Sequence, residues 1–95
     1  MDKKSKNWRF KAGELCEVLG SYRYIGNSGT FSIGPPVVGH RTAVGRDLKP
    51  GHSFLVLADA QHSAWRHNRR LYVEILTDRG PAMVWTSYFK KRSDA

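Results

Sequence analysis

Ninety-five residues, 40% hydrophobic and 25% charged, make one globular domain with a modest core and exclude a second domain or wholesale disorder. Sixteen Lys and Arg stand against eight Asp and Glu, and the formal net charge of +8 draws polyanions, nucleic acid first, then anionic membrane or an acidic protein surface. A single cysteine excludes an internal disulfide framework and fits a reducing compartment, the cytoplasm of a cell or of an infected host, and no apolar run approaches the roughly 20 residues that cross a bilayer.

Residues 1–7 are polar and basic and read as a flexible tail, with no apolar stretch behind the charge to make a secretory signal. Trp8 and Phe10 then alternate with Arg9 and Lys11, as a short strand or an aromatic anchor would. Gly13 and Glu14 turn the chain into 15–19, where Cys16 and Val18 share one face of an imperfectly amphipathic strand. Gly20 and Ser21 break it, and 22–25 resumes extended character with Tyr22 and Tyr24 on one face. From 26 to 47 the glycines Gly26, Gly29, Gly34, Gly39 and Gly45 recur around Pro35 and Pro36. This argues against a helix, since glycine costs about 1 kcal/mol per helical site and proline about 3. The segment reads as a long loop or irregular hairpin with short strands at 30–33 and 37–38, and loops of that length in small domains are usually functional or mobile.

The second half is plainer. Residues 48–51 carry a Pro-Gly turn signal, and 53–57 is an apolar run of strand length suited to the middle of a sheet. The polar segment 59–70 has no apolar stripe and reads as a connecting loop. In 71–76, Leu71, Val73 and Ile75 share one face while Tyr72, Glu74 and Leu76 share the other. A hairpin turn at 77–80, with Gly80 supplying the positive φ, returns 82–85 as the partner strand, and 86–89 closes the fold as a single helical turn. The expected architecture is an all-β barrel of about five strands with one long glycine-rich loop. Its parts are a basic tail at 1–7, the barrel domain at 8–90 and a C-terminal tail at 91–95.

The stretch 48–89 resembles an SH3 domain from its diverging turn to its end. Leu48, Lys49, Pro50 and Gly51 with the hydrophobics after them are similar to the family's turn and second strand. The hairpin around Asp78, Arg79 and Gly80 looks like the distal hairpin, and Thr86, Ser87, Tyr88 and Phe89 look like the closing turn. Residues 10–18, with Gly13, Glu14, Cys16 and Val18, resemble the opening strand of many such barrels. The resemblance implies the fold. It does not extend to the groove for Pro-x-x-Pro ligands, because 20–45 carries Arg23 and Arg41 and no acidic residue, the tryptophan pair of the family just before the third strand is reduced to Trp65, and Thr86 stands where the groove proline is expected. Basic SH3-like barrels of ribosomal, transcription and viral proteins often bind nucleic acid, and this charge pattern suits them better. A compact viral or mobile-element protein fits the size and charge.

Three basic clusters stand out: Lys3 to Lys11, Arg66 to Arg70, and Lys90, Lys91 and Arg92. A barrel that brings its ends together places the second and third on one surface with Arg79. Cations for phosphates beside rings for bases are what single-strand binding requires. The candidate nucleic-acid-binding set is therefore Trp65, Arg66, Arg69, Arg70, Arg79, Lys90, Lys91 and Arg92. Trp85 and Phe54 read as core residues. A protein-interaction or assembly module built on Tyr22, Tyr24, Tyr88 and the glycine-rich loop is the alternative, and it predicts a homo-oligomer or a specific partner. His40, His52, His62 and His67 are too scattered for a structural metal site with a single cysteine. Cys16 reads as a buried thiol, and Asp47, Asp59 and Asp78 as turn caps. No catalytic residue and no cofactor is expected.

Overall fold

The computed structural model describes residues 9–19, 30–48, 51–64 and 69–92. They form an all-β fold, a curled antiparallel sheet of six strands that makes a half-barrel. The strands are β1 (Leu15–Val18), β2 (Ser53–Val56), β3 (Gln61–His62), β4 (Leu71–Thr77), β5 (Gly80–Trp85) and β6 (Phe89–Lys91). A 3-10 turn at Gly45–Asp47 precedes β2, and another at Thr86–Tyr88 joins β5 to β6. β2 lies between β1 and β4, as its unbroken apolar character requires, and β6 closes onto the other edge of β1. β4 pairs along its length with β5 and divides its opposite edge, Leu76 and Ile75 going to β2, and Tyr72 and Leu71 to β3.

Alternation decides what each strand buries. Cys16 and Val18 of β1, Phe54 and Val56 of β2, and Val73 and Ile75 of β4 point inward, joined by Ala82 and Val84 of β5 and by Phe89. Phe54 and Phe89 meet edge to face, with ring centroids 6.1 Å apart. Phe10, expected as part of a strand or an anchor, is an anchor: its side chain is in the core and its carbonyl accepts from Ala60 N at 2.9 Å. Gly80 turns the β4–β5 hairpin at φ 103°, as its place in the sequence predicts.

The described part of the glycine-rich loop, 30–48, covers the outer edge of β5. Met83 N donates to Arg41 O at 2.9 Å, Ala43 N to Met83 O at 3.0 Å, and Trp85 N to Ile33 O at 2.9 Å. The edge that would otherwise stand open is thereby occupied. Gly34 makes the approach possible, because a Cβ there would lie 2.2 Å from Met83 O. A polar clamp pins the far end of the loop. Asp47, whose side chain has no solvent exposure, accepts from Arg41 Nη1 and from Val44 N, both at 2.8 Å. Arg41 Nη2 donates to Thr77 Oγ1 at 2.6 Å, so the loop is tied to the end of the hairpin.

Four local expectations change. Residues 30–33 are not a strand and make only an isolated bridge from Ser32 to Val44. Residues 37–38 are not a strand either; His40 N donates to Val37 O at 3.0 Å and closes a turn there. The polar segment 59–70 contains β3, two exposed residues held by β4 rather than by any apolar face. Lys91, assigned to a tail, is the last residue of β6, since Phe89 is rooted in the core and Lys90 lies opposite Glu17.

Candidate functional site

Arg70 stands two residues before Tyr72 and therefore on the same face of the sheet, and Tyr72 is paired with Trp85. Its guanidinium accordingly lies over the indole of Trp85, 4.3 Å from the ring centroid, and Nη2 donates to Ser87 Oγ at 2.7 Å. Both partners preorganise the cation, since stacking on the ring and the bond to the hydroxyl fix the plane of the guanidinium. Arg69 beside it is exposed, and its carbonyl accepts from His62 Nδ1 at 3.0 Å. Ser87 leads within three residues to Lys90, a chain path of about 10 Å at most.

From there β6 and its end present Lys90, Lys91 and Arg92, all exposed. Lys91 Nζ is 3.7 Å from Glu14, and Arg92 Nη1 donates to Ser53 Oγ at 3.0 Å. Arg70 is thus tied through Ser87 to the turn that leads into β6. The chain runs from there, as a basic arc in sequence, to three exposed cations, with Lys91 facing the opposite side of the strand from Lys90 and Arg92. Arg79 is apart from it. It sits at the tip of the β4–β5 hairpin with Nε 3.7 Å from Asp47 Oδ1, and the seven residues of β4 separate it from Arg70 by about 20 Å. Trp65 and Arg66 lie outside the described residues, as do Tyr22 and Tyr24. Tyr88 is half-buried against the core, and its carbonyl accepts from Leu19 N at 3.0 Å.

Sequence reasoning did not find a second feature, a groove beside the arc. The turn containing Pro35, Pro36, Val37 and Val38 faces the segment around β3 across the ring of Tyr72, and the space between is a cavity of about 450 Å³. It continues past Val37 and Tyr72 into one of about 260 Å³ beside His40, Asp59 and Glu74. In the other direction it shares His62, Ser63 and Ala64 with one of about 370 Å³ that ends at Arg69. Val38, 98% exposed, stands at the rim. The alternation of β4 places Tyr72 on the outer face, but the apposition with Pro35 and Val37, over thirty residues away, leaves no local signal.

The remaining candidates are structural. Cys16 is buried, its thiol donating to Phe54 O at 3.5 Å, and burial pushes its pKa up to about 12. That keeps it a thiol at neutral pH and poorly suited to nucleophilic work. Asp47 caps Val44 and pairs with Arg41, and Asp59 accepts from Ala12 N at 2.9 Å. His40 Nδ1 is 3.7 Å from Glu74 Oε2. Among the described residues no group of three or more His, Cys, Asp or Glu is placed to hold a metal ion, and no helix is long and apolar enough to cross a membrane. Comparison with protein-family models, curated proteins and solved structures found no match to this chain.

Proposed function

We propose that this chain is a non-enzymatic module that binds a polyanion, nucleic acid in the first place, through backbone phosphates along the arc from Arg69 to Arg92. One observation carries the reading. Arg70 is held on Trp85 and Ser87 at the entrance to β6, and the strand continues from that point into three exposed cations. Phosphates recognised this way position a strand and carry no sequence information. Arg66 extends the arc in sequence, and Trp65 beside it supplies a ring for stacking. The barrel itself we assign to the SH3-like kind. Support comes from the long loop between the first two strands, the hairpin with its glycine turn and the single helical turn before the last strand.

Arg69 and Lys90 are exposed, so reversing both charges perturbs the arc more than the core. The variant Arg69→Glu/Lys90→Glu is expected to bind a labelled single-stranded oligonucleotide at least about tenfold more weakly at low salt, with the fold retained and the melt lowered only by the like charge that Lys90→Glu sets opposite Glu17. A folded double variant that binds as tightly as the parent overturns the assignment. A second reading, a protein-interaction module, rests on the groove over Tyr72 and the exposed Val38. It predicts a partner whose binding survives added salt.

A further inference from the structure

On the outer face of the sheet, four adjacent strands bring an apolar side chain to the same level. The register pairs Leu15 with Leu55, Leu55 with Leu76, and Leu76 with Pro81. Strands about 4.8 Å apart make this a row of about 14 Å. Leu15 is half-buried, Leu55 is 39% exposed, Leu76 is 45% exposed and Pro81 is exposed. The core does not require these residues, because their chain neighbours Cys16, Phe54, Ile75 and Ala82 are the ones that fill it. One level along the same face, β1 and β2 carry Glu17 and Ser53, the polar types an unvisited surface favours. A contiguous exposed apolar row of this kind marks an interaction site.

Charge narrows the occupant. At the β6 end Arg92 continues the row, its N–H donating to Leu15 O at 3.1 Å and its guanidinium resting on Ser53 Oγ. Lys90 stands one level away, opposite Glu17. At the other end Arg79 and Asp78 share the hairpin tip. A second copy of the chain would meet the repulsion of two charges of +8, whereas an acidic partner is attracted. Backbone geometry narrows it further. The row crosses the strands, and β1, β2 and β4 each have a strand on both sides, so an extended segment lying along the row would find no backbone to pair with. A helix satisfies its own backbone, and two turns of it, about 11 Å long, carry apolar residues at i, i+3, i+4 and i+7 along a matching length.

We propose that the row Leu15–Leu55–Leu76–Pro81 docks an acidic amphipathic helix of a partner protein, with apolar residues on Leu55 and Leu76 and carboxylates toward Lys90 and Arg92. The leucine row lies outside the polyanion assignment, and Lys90 and Arg92 are shared by the two.

The probe is a synthetic helical peptide with leucines at that spacing and glutamates elsewhere, against the same peptide with lysines in place of the glutamates. Binding is followed by chemical-shift changes in the labelled protein and by anisotropy. The glutamate peptide is expected to bind and shift the amides of the row, with the lysine peptide at least about tenfold weaker. Leu55→Thr/Leu76→Thr, chosen because threonine suits an exposed strand position, is expected to weaken the glutamate peptide about tenfold or more. Oligonucleotide binding should be unchanged in that variant, which separates failure of this surface from failure of the basic arc. The proposal is overturned by absence of peptide binding, by equal binding of the two peptides, or by a folded double threonine variant that binds as the parent does. A dimer in sedimentation velocity that Leu76→Thr dissolves would also overturn it, assigning the row to a second copy.

Discussion

Cys16 illustrates how much a single residue owes to alternation. One step along β1 from the half-exposed Leu15, it turns into the core, donates to Phe54 O and loses its contact with water. Burial disfavours the thiolate, so the pKa rises from 9.0 to about 12. The unfolded chain then releases this proton first as pH rises, and between about 9 and 12 the native state binds more protons than the unfolded one. Stability from this group is therefore complete below pH 9 and declines through that window. Two results are expected: native protein at pH 8 resists a thiol-specific disulfide reagent that labels the denatured chain at once, and Cys16→Ala flattens part of the alkaline loss of stability. Rapid labelling of the native protein would contradict the buried thiol. This residue was legible in sequence, since an apolar alternation running through Cys16 and Val18 already turns the thiol inward. Phe54 was legible as a core residue for the same reason. Trp85 is buried too, but on the face of Tyr72, opposite Val84, and its stacking with Arg70 depends on that cross-strand register and was not legible.

Among the elements, the strands with a period-two apolar face and a glycine turn, β2, β4 and β5, could be read directly from residues 53–85. β3 could not, because Gln61 and His62 carry no apolar signal and are strands only by virtue of pairing with β4. Val37 and Val38 mislead in the opposite direction. Their β propensity predicts a strand, but the glycine that follows and the hydrogen bond from His40 make a turn, leaving Val38 in solvent. The glycine-rich loop is held by residues far apart in sequence, Arg41 and Asp47 on the loop and Thr77 on the hairpin, which no local pattern connects. Removing Arg41 leaves the Asp47 carboxylate buried with only Val44 N at hydrogen-bonding distance and Arg79 Nε at 3.7 Å. Arg41→Ala is accordingly expected to destabilise the fold by about 3 kcal/mol in denaturant titration, the usual consequence of orphaning a buried charge. A loss below about 0.5 kcal/mol, the size of an ordinary surface change, would show that the clamp does not hold the loop.

At the scale of the whole molecule, charge and topology converge. The excess of cations over carboxylates was plain in the sequence, whereas a shared surface for the cluster Arg66 to Arg70 and the one at Lys90, Lys91 and Arg92 was only an expectation from barrel closure. What the structure adds is the hydrogen bond from Arg70 to Ser87, in the turn at Thr86–Tyr88 that leads into β6. Arg79 was expected with them and stands at the opposite end of the hairpin, because a seven-residue strand separates the two ends by its own length. The groove over Tyr72 and the leucine row were invisible for a related reason: each consists of residues on three or four strands that meet only once the register is set. The basic arc has the most direct physical consequence, since a phosphate-binding surface releases counterions when it is occupied. The decisive measurement is the affinity for a single-stranded oligonucleotide followed by anisotropy from about 50 to 200 mM salt. Three to five phosphate contacts along Arg69, Arg70, Lys90, Lys91 and Arg92 predict a slope of log K against log salt of roughly −2 to −3.5. A slope near zero, or no binding at the lowest salt, would contradict a polyanion-binding function.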